Sequence, residues 1–113
     1  MAVATNAMKN TLCSAYAAQG AKLSLHTGAP GSNGANEVTA GSGGYARKTL
    51  TWGSPANGSI TATEVKFDAP AGTFSHWGLW SSSDVFLDGG PLAATVTISQ
   101  AAQISAPATY TQS

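Results

Sequence analysis

The stretch from Thr27 to Gly44 limits the possible folds of this chain more than any other. It contains six glycines and one proline in eighteen residues, and Val38 is its only large apolar residue. Glycine loses more backbone entropy on folding than any other residue, so this stretch favours neither a helix nor a regular strand. A loop of such length in a compact domain is usually functional or held by its surroundings. We therefore expect a long loop, with the folded body built from the segments on either side.

The segment before this loop begins with the only helix that the sequence predicts, over residues 5–19. Alanines supply strong helix formers, and the side chain of Thr5 or Asn6 can cap the first turn. Apolar residues recur at every fourth position and form one stripe: Met8, Leu12 and Tyr16. Gly20 lies just after the predicted helix, where helices commonly end with a glycine in the left-handed conformation. We expect the stripe to pack across a sheet; the alternative is that it docks on a neighbouring subunit.

The remaining segments are typical of short strands. Residues 22–26 alternate, with Leu23 and Leu25 on one face and polar side chains on the other, which predicts a half-buried strand. Further strands are predicted at 45–52, 60–67, 73–80, 85–87, 93–98 and 104–110. Pro107 interrupts the last of them, so that strand is expected at a sheet edge. Turn residues separate the strands at 53–58, 68–72 and 88–91.

Six or seven short strands joined by turns at intervals of about 8–12 residues are typical of an antiparallel β-sandwich. The predicted fold is mainly β: a jelly-roll-like sandwich over residues 22–110, preceded by one N-terminal helix. A chain of 113 residues corresponds to a single domain, 1–113. The alternation places these side chains inside: Leu23, Leu25, Leu50, Val65, Phe67, Leu79 and Val96.

The charge content is low and balanced, with five Lys or Arg and five Asp or Glu. Charged residues make up 9% of the chain, against about 25% in an ordinary soluble domain. A surface without net charge does not attract nucleic acid or an anionic membrane at long range, and it favours association. We therefore expect a homo-oligomer. No run of about 18 apolar residues predicts a membrane span, and the absence of a signal-peptide pattern predicts folding in the cytoplasm.

No combination of residues predicts catalysis or metal binding. His26 and His76 are the only histidines, whereas zinc sites need three or four closely spaced ligands. Ser75, His76 and Asp84 suggest a hydrolase triad on paper, but Ser75 and His76 are adjacent on a predicted strand and should point to opposite faces. We expect no catalytic, metal or cofactor-binding residue. Both histidines are expected to hold a loop or strand end through hydrogen bonds.

Glu37 and Arg47 flank the end of the glycine-rich stretch in a chain that has few charges. A carboxylate and a guanidinium can pair through two parallel hydrogen bonds. Such a pair would fasten the loop to the start of the returning strand. We predict that Glu37 and Arg47, together with His26 and His76, are loop-anchoring residues. A ligand-binding role for the pair is the alternative.

The strand predicted at 73–80 is the most aromatic of the chain, with Phe74, Trp77 and Trp80. Aromatic side chains bury a large apolar area, and we expect them to pack in the core. The alternative is that the tryptophans form a platform for a sugar, which would make the chain a carbohydrate-binding module.

Several short motifs follow one another along the chain: Leu-His-Thr-Gly-x-Pro-Gly at 25–31, Gly-Ala-Asn-Glu at 34–37, Tyr-Ala-Arg at 45–47, Phe67, Pro-Ala-Gly at 70–72 and His-Trp-Gly-Leu-Trp at 76–80. Together they resemble a group of small tailed-bacteriophage virion proteins, often labelled tail-fibre-like or minor structural proteins. The resemblance runs from about residue 5 to residue 98. The family's residue after the first Thr-Gly is usually acidic; here it is Ala29, so any role for an acid there is absent.

The resemblance implies a non-enzymatic structural subunit of a bacteriophage virion, without a cofactor. Such a subunit is an accessory protein on the particle surface that binds other virion proteins and is assembled in the host cytoplasm. The expected contact residues are Thr27, Gly28, Pro30, Asn36, Trp77 and Trp80. A compact chain without a shaft repeat favours capsid decoration, while the family label favours a minor tail or fibre-associated position. A carbohydrate-binding module that contributes to host-surface attachment is the second function considered.

Overall fold

The computed structural model describes residues 4–111; residues 1–3 and 112–113 of the predicted domain 1–113 lie outside the described part. Within it the chain forms one α-helix and six strands. They are α1 (Asn6–Gln19), β1 (Lys22–His26), β2 (Lys48–Thr49), β3 (Ser59–Ala69), β4 (Gly72–Trp80), β5 (Phe86–Ile98) and β6 (Ala102–Thr111). A short 3₁₀ helix, Ser42–Gly44, lies between β1 and β2.

The strands form two antiparallel sheets that enclose the core. The first has the order β2-β1-β4-β5, and the second pairs β3 with β6. The mainly β fold with one N-terminal helix is therefore confirmed. Strand β6 ends its sheet, as predicted, but runs through Pro107 without a break. The buried core includes Leu23, Leu25, Val38, Tyr45, Leu50, Phe67, Phe74, Leu79 and Ile104, with Val65 and Val96 partly buried against it.

Helix α1 uses only part of its predicted stripe. Thr5 caps the helix by accepting a hydrogen bond from the backbone N–H of Met8 at 3.3 Å. The Met8 side chain, however, is 52% exposed, whereas Cys13 is fully buried. The predicted stripe is therefore wrong at its start, since Met8 faces solvent while Leu12 and Tyr16 are partly buried. No helix within residues 4–111 has the length and apolar character needed to span a membrane.

Tyr16 joins the helix to both sheets. Its hydroxyl donates a hydrogen bond to Asp88 Oδ2 in β5 at 2.7 Å. Its ring stacks on Tyr110 of β6 with centroids 3.9 Å apart and meets the Trp52 ring edge-on. Burial raises the pKa of the Tyr16 hydroxyl well above 10.0, and Asp88 adds to that shift. The hydroxyl therefore stays protonated, as donation to a carboxylate requires.

Gly20 ends the helix, but not in the predicted left-handed conformation. Its φ is −85° and its ψ is 95°, so its backbone is extended. A Cβ at this position would lie 2.6 Å from Leu79 Cδ2. Glycine therefore leaves room for the Leu79 side chain where the helix end approaches β4.

A β-bulge in β3 decides which of its side chains face the core. The pairing with β6 shifts between Ala62 and Val65. Ile60 and Ala62 are buried before the bulge, and Phe67 and Ala69 are buried after it. The strict alternation expected from the sequence would place Ile60 and Phe67 on opposite faces, but the one extra residue brings both into the core.

Strand β5 runs without a break through residues 88–91, where the sequence predicts a turn. The two predicted strands on either side are therefore one strand. Gly89 and Gly90 serve close packing instead of a turn. A Cβ on Gly89 would lie 2.5 Å from the Pro30 ring, and one on Gly90 would lie 3.3 Å from the Trp77 indole.

The strand predicted at 45–52 is reduced to two paired residues. Lys48 and Thr49 pair with β1, whereas Trp52 forms an isolated bridge to Ala62 of β3. The chain crosses from one sheet to the other within this segment, and the crossing shortens the strand.

The turn that follows this crossing is the hairpin turn predicted from Asn57-Gly58. These residues have φ values of 52° and 76°, the positive values that a two-residue hairpin turn requires. Ala56 and Ser59 exchange backbone hydrogen bonds across it.

We predict that Tyr16→Ala lowers the free energy of unfolding by about 3 kcal/mol, because it removes packed aromatic volume and a hydrogen bond. Met8→Ala on the same helix is the matched control and should change it by less than about 0.5 kcal/mol. Urea unfolding of both variants measures the difference. Equal losses in the two variants would contradict the role given to Tyr16.

Candidate functional site

Side chains from four segments of the chain meet at the base of the long loop. They are Ser24, His26, Glu37, Tyr45, Arg47 and Trp80, and we call them the polar network. Strand β1 supplies the first two and the end of β4 supplies the last. The others come from the loop and from the segment that returns to β2. Within the described residues, no buried side-chain nitrogen or oxygen lacks a hydrogen-bond partner.

Glu37 and Arg47 are joined by two hydrogen bonds. Arg47 Nη2 donates to Glu37 Oε1 at 2.8 Å, and Arg47 Nε donates to Glu37 Oε2 at 2.9 Å. The two side chains are only 25% and 19% exposed. This is the bidentate geometry in which a guanidinium matches a carboxylate. Hydrogen bonds from Arg47 and Tyr45, together with the Arg47 charge, outweigh the effect of burial and lower the pKa of Glu37.

Tyr45 links the same carboxylate to β1. Its hydroxyl donates to Glu37 Oε2 at 2.8 Å and accepts from the backbone N–H of Leu25 at 3.0 Å. Burial raises the pKa of this hydroxyl, and the Glu37 carboxylate raises it further. The Tyr45 ring also stacks on Phe67 in the core. Tyr45 therefore connects the charged pair to the apolar interior.

The Arg47 guanidinium has two further contacts. Its Cζ lies 3.5 Å from the centroid of the Trp80 ring, a cation–π arrangement. Its Nη1 donates to Asp84 Oδ1 at 3.1 Å, and Lys22 Nζ donates to the same oxygen at 2.9 Å. Lys22 and Arg47 together lower the pKa of Asp84. The guanidinium is thus held in its plane by two carboxylates and on its face by an indole.

His26 is fully buried, and both of its ring nitrogens are bonded. Trp80 Nε1 donates to Ser24 Oγ at 2.7 Å, and that hydroxyl lies 2.6 Å from His26 Nε2. His26 Nδ1 lies 2.7 Å from the carbonyl oxygen of Ala35. A carbonyl only accepts, so Nδ1 carries the proton and Nε2 accepts from Ser24. Burial lowers the pKa of His26 below 6.5, which suits this neutral form.

Strand β1 is buried on both faces, so the predicted half-buried strand is wrong. Ser24 and His26 are as buried as Leu23 and Leu25, because Trp80 and the loop cover the face that alternation assigns to solvent. Gly78 on β4 makes room for this arrangement, since a Cβ there would lie 2.6 Å from His26 Nε2. Sequence reasoning missed Ser24, and its position two residues before a motif histidine was the available signal.

The loop above the polar network is closed by its own backbone. Thr27 donates to the Asn36 carbonyl, and Ala35 donates to the Pro30 carbonyl, both at 2.9 Å. Asn36 Nδ2 donates to the Ala29 carbonyl at 2.9 Å. The loop is therefore a set of hydrogen-bonded turns. Its exposed residues include Thr27, Ala29, Gly31, Ser32, Asn33, Ala35 and Asn36.

The other predicted site residues lie apart from this loop surface or beneath it. Pro30 is buried, and Gly28 and Trp77 are half-buried. Trp80 is 7% exposed, so little of it is left for a partner or a sugar. His76 pairs with His26 across β1 and β4 but lies outside the polar network.

The structure places Ser75, His76 and Asp84, the residues considered above as a hydrolase triad, differently from the sequence prediction. Ser75 and His76 were expected to point to opposite faces, yet Ser75 Oγ lies 2.7 Å from His76 Nδ1. Asp84 bonds Lys22 and Arg47 instead, so no triad is assembled. Within residues 4–111, no three potential metal-ligating side chains from His, Cys, Asp and Glu form a group that could hold a metal ion.

A family model described as podophage GP4 fiber I protein gp80 matches residues 2–111. The chain belongs to this family. The resemblance to tail-fibre-like proteins of tailed bacteriophages is therefore confirmed, and membership makes the chain a structural subunit of a virion. Comparisons with curated proteins and with solved structures found no match.

The polar network gives the sequence motifs of this family member a common physical role. Four of the motifs are separate in the sequence but meet in this cluster: those at 25–31, 34–37, 45–47 and 76–80. Each supplies a side chain to the same cluster or a backbone group that bonds to it. That these residues anchor the loop remains a prediction, which the following two experiments test.

We predict that Glu37 and Arg47 are energetically coupled by about 1–3 kcal/mol. Exposed ion pairs contribute about 0–1 kcal/mol, and breaking a buried pair costs about 3–5 kcal/mol; this pair is intermediate in burial. A double-mutant cycle on Glu37→Gln and Arg47→Met, read by urea unfolding, gives the coupling. Arg47→Lys keeps the charge but loses the planar fork, so it should also destabilise.

The control is a second cycle on Glu64→Gln and Lys66→Met, two exposed residues of β3 between which no ion pair forms. Their effects should add to within about 0.5 kcal/mol. Additive effects at Glu37 and Arg47 as well would show that the pair does not fasten the loop.

We predict that stability falls as the pH drops from 7.5 to 5.5, by up to about 1.4 kcal/mol per pH unit. Below pH 6.5 the unfolded chain binds a proton at His26 that the folded chain does not, because burial lowers the folded pKa. Urea unfolding across this range measures the slope. It should shrink in His26→Gln and persist in His76→Gln; the opposite pattern would refute the assignment.

Proposed function

We propose that the chain is a non-enzymatic accessory subunit of a phage fibre that binds another virion protein through the tip of its long loop. The loop tip is defined as residues 27–36. One observation carries the proposal: the base of this loop is hydrogen-bonded within the polar network, while most of its tip is exposed. A loop whose base is already hydrogen-bonded loses less conformational entropy when it binds a partner.

The size of the subunit favours an accessory position. Its radius of gyration is 14.5 Å and its longest extent is 46 Å, so a single copy forms a short body. The family description names a fibre, and this favours a fibre-associated position over the capsid decoration expected from compactness alone. The subunit is therefore proposed as a joint or attachment element of the fibre.

The lack of catalytic function is proposed from the bonding of the polar network. Glu37, Arg47 and Asp84 are bonded to one another, and both nitrogens of His26 are engaged. Ser24 and His26 are also fully buried, so a substrate in solution does not reach them. A sugar-binding platform is not proposed, because Trp80 is buried and donates its N–H to Ser24.

We predict that Ser32→Arg at the loop tip abolishes incorporation of the subunit into particles, because a long charged side chain blocks a close contact. Ser54→Arg, in the exposed turn after the sheet crossing, is the matched control and should be incorporated normally. Particles from a deletion phage complemented with each variant are compared by mass spectrometry. Electron cryo-microscopy then locates the density that depends on the subunit.

Density on the tail fibre, lost with Ser32→Arg and kept with Ser54→Arg, supports the proposal. Density on the capsid shell would show that the subunit decorates the capsid and does not belong to the fibre. Normal incorporation of a folded Ser32→Arg variant would show that the loop tip is not the attachment surface.

A further inference from the structure

One side of the sandwich is open. Strand β5 ends the first sheet and β6 ends the second, and no strand within residues 4–111 pairs with the outer edge of β5. A cleft of about 380 Å³ lies between the two sheets on this side. Its lining includes Trp77, Leu92, Ala94, Val96, Ile104 and Ala106. We call this surface, with residues 92–98 of β5 at its rim, the open side.

An irregularity in β5 brings apolar side chains to the cleft. The pairing with β4 places Val96 opposite Phe74 but Pro91 opposite His76. Five steps along β5 thus correspond to two along β4, and the three excess residues form a large bulge. Leu92 and its neighbours in the bulge line the cleft. Several of these rim residues are exposed and small, so the mouth of the cleft is accessible.

The open side is free of charge. No described residue that lines the cleft is charged, and no Asp, Glu, Lys or Arg follows Asp88 in the sequence. Lys48 of the first sheet lies instead on β2, the edge strand opposite β5. Sheet edges that must stay unpaired commonly carry a lysine or another charge. The rim of β5 carries none.

The size of the surface is sufficient for a stable contact. The subunit measures 46 Å by 24 Å along its two longest axes, so one long side offers on the order of 1,000 Å². A standard stable interface buries about 800 Å² on each partner. A partner that covers the cleft and the rim together would therefore reach the size of an ordinary specific interface.

We propose that the open side binds the open side of a second copy of this chain, in a two-fold symmetric dimer. An uncharged surface meets itself without like-charge repulsion, and two-fold homodimers are the commonest protein oligomers. The half-buried indole of Trp77 lies in the cleft, and aromatic residues of this kind often dominate binding energies. The proposal names a different surface from the loop tip and does not rest on the fibre role.

Sedimentation of the purified full chain over micromolar concentrations tests the dimer. Ala94→Glu puts a charge at the mouth of the cleft and should weaken association at least about 100-fold, since an uncompensated interfacial charge costs several kcal/mol. Thr49→Glu, an exposed position on β2 at the other end of the same sheet, is the control and should associate like the parent chain. Circular dichroism checks that both variants fold.

Hydrogen exchange gives a reading that needs no variant. Amides of residues 92–98 should become more protected as the concentration rises through the association midpoint, while amides of the loop tip stay unchanged. A parent chain that remains monomeric, a folded Ala94→Glu variant that still dimerises, or protection confined to other strands would overturn the proposal. These measurements use the purified chain and do not depend on where it lies in the virion. A negative result would therefore overturn the dimer and leave the proposed fibre role untouched.

Discussion

We propose that the structure around the long loop depends on the guanidinium of Arg47. A planar cation that is three-quarters buried needs acceptors in its plane and a suitable surface on its face. Glu37 supplies two acceptors, Asp84 supplies one and Trp80 supplies the face. Because Glu37 lies in the loop and Arg47 lies where the chain returns to the sheet, we propose that these contacts hold both ends of the 3₁₀-containing segment between them.

Trp80 links the uncharged members of the polar network, Ser24 and His26, to the charged Arg47. Trp80 contacts Arg47 through its ring and donates its N–H to Ser24, which in turn bonds His26. His26 then holds the Ala35 carbonyl of the loop. A continuous path of contacts therefore runs from the guanidinium to the loop tip. We propose that the polar bonds along this path hold the glycine-rich segment in place, since the segment has little apolar content to pack.

Local features of this fold could be predicted from the sequence, and long-range ones could not. The Thr5 cap and the Asn57-Gly58 turn depend on neighbouring residues alone. The bulge in β3 and the glycine pair inside β5 depend on strands that lie far away in the chain. At the site, rare charges pointed to Glu37 and Arg47. Ser24 looked like a solvent-facing residue, because only the folded structure places Trp80 and the loop over it.

Hydrogen exchange of the loop amides in Arg47→Met tests whether Arg47 holds the loop. We expect the amides of Thr27, Ala35 and Val38, all hydrogen-bonded in the loop or to β1, to exchange at least about tenfold faster in the variant, the ratio that 1.4 kcal/mol of lost local stability produces. The paired amides of Phe67 and its neighbours between β3 and β6 should keep their protection. Unchanged loop protection, or an equal loss in both regions, would contradict the claim that Arg47 holds the loop.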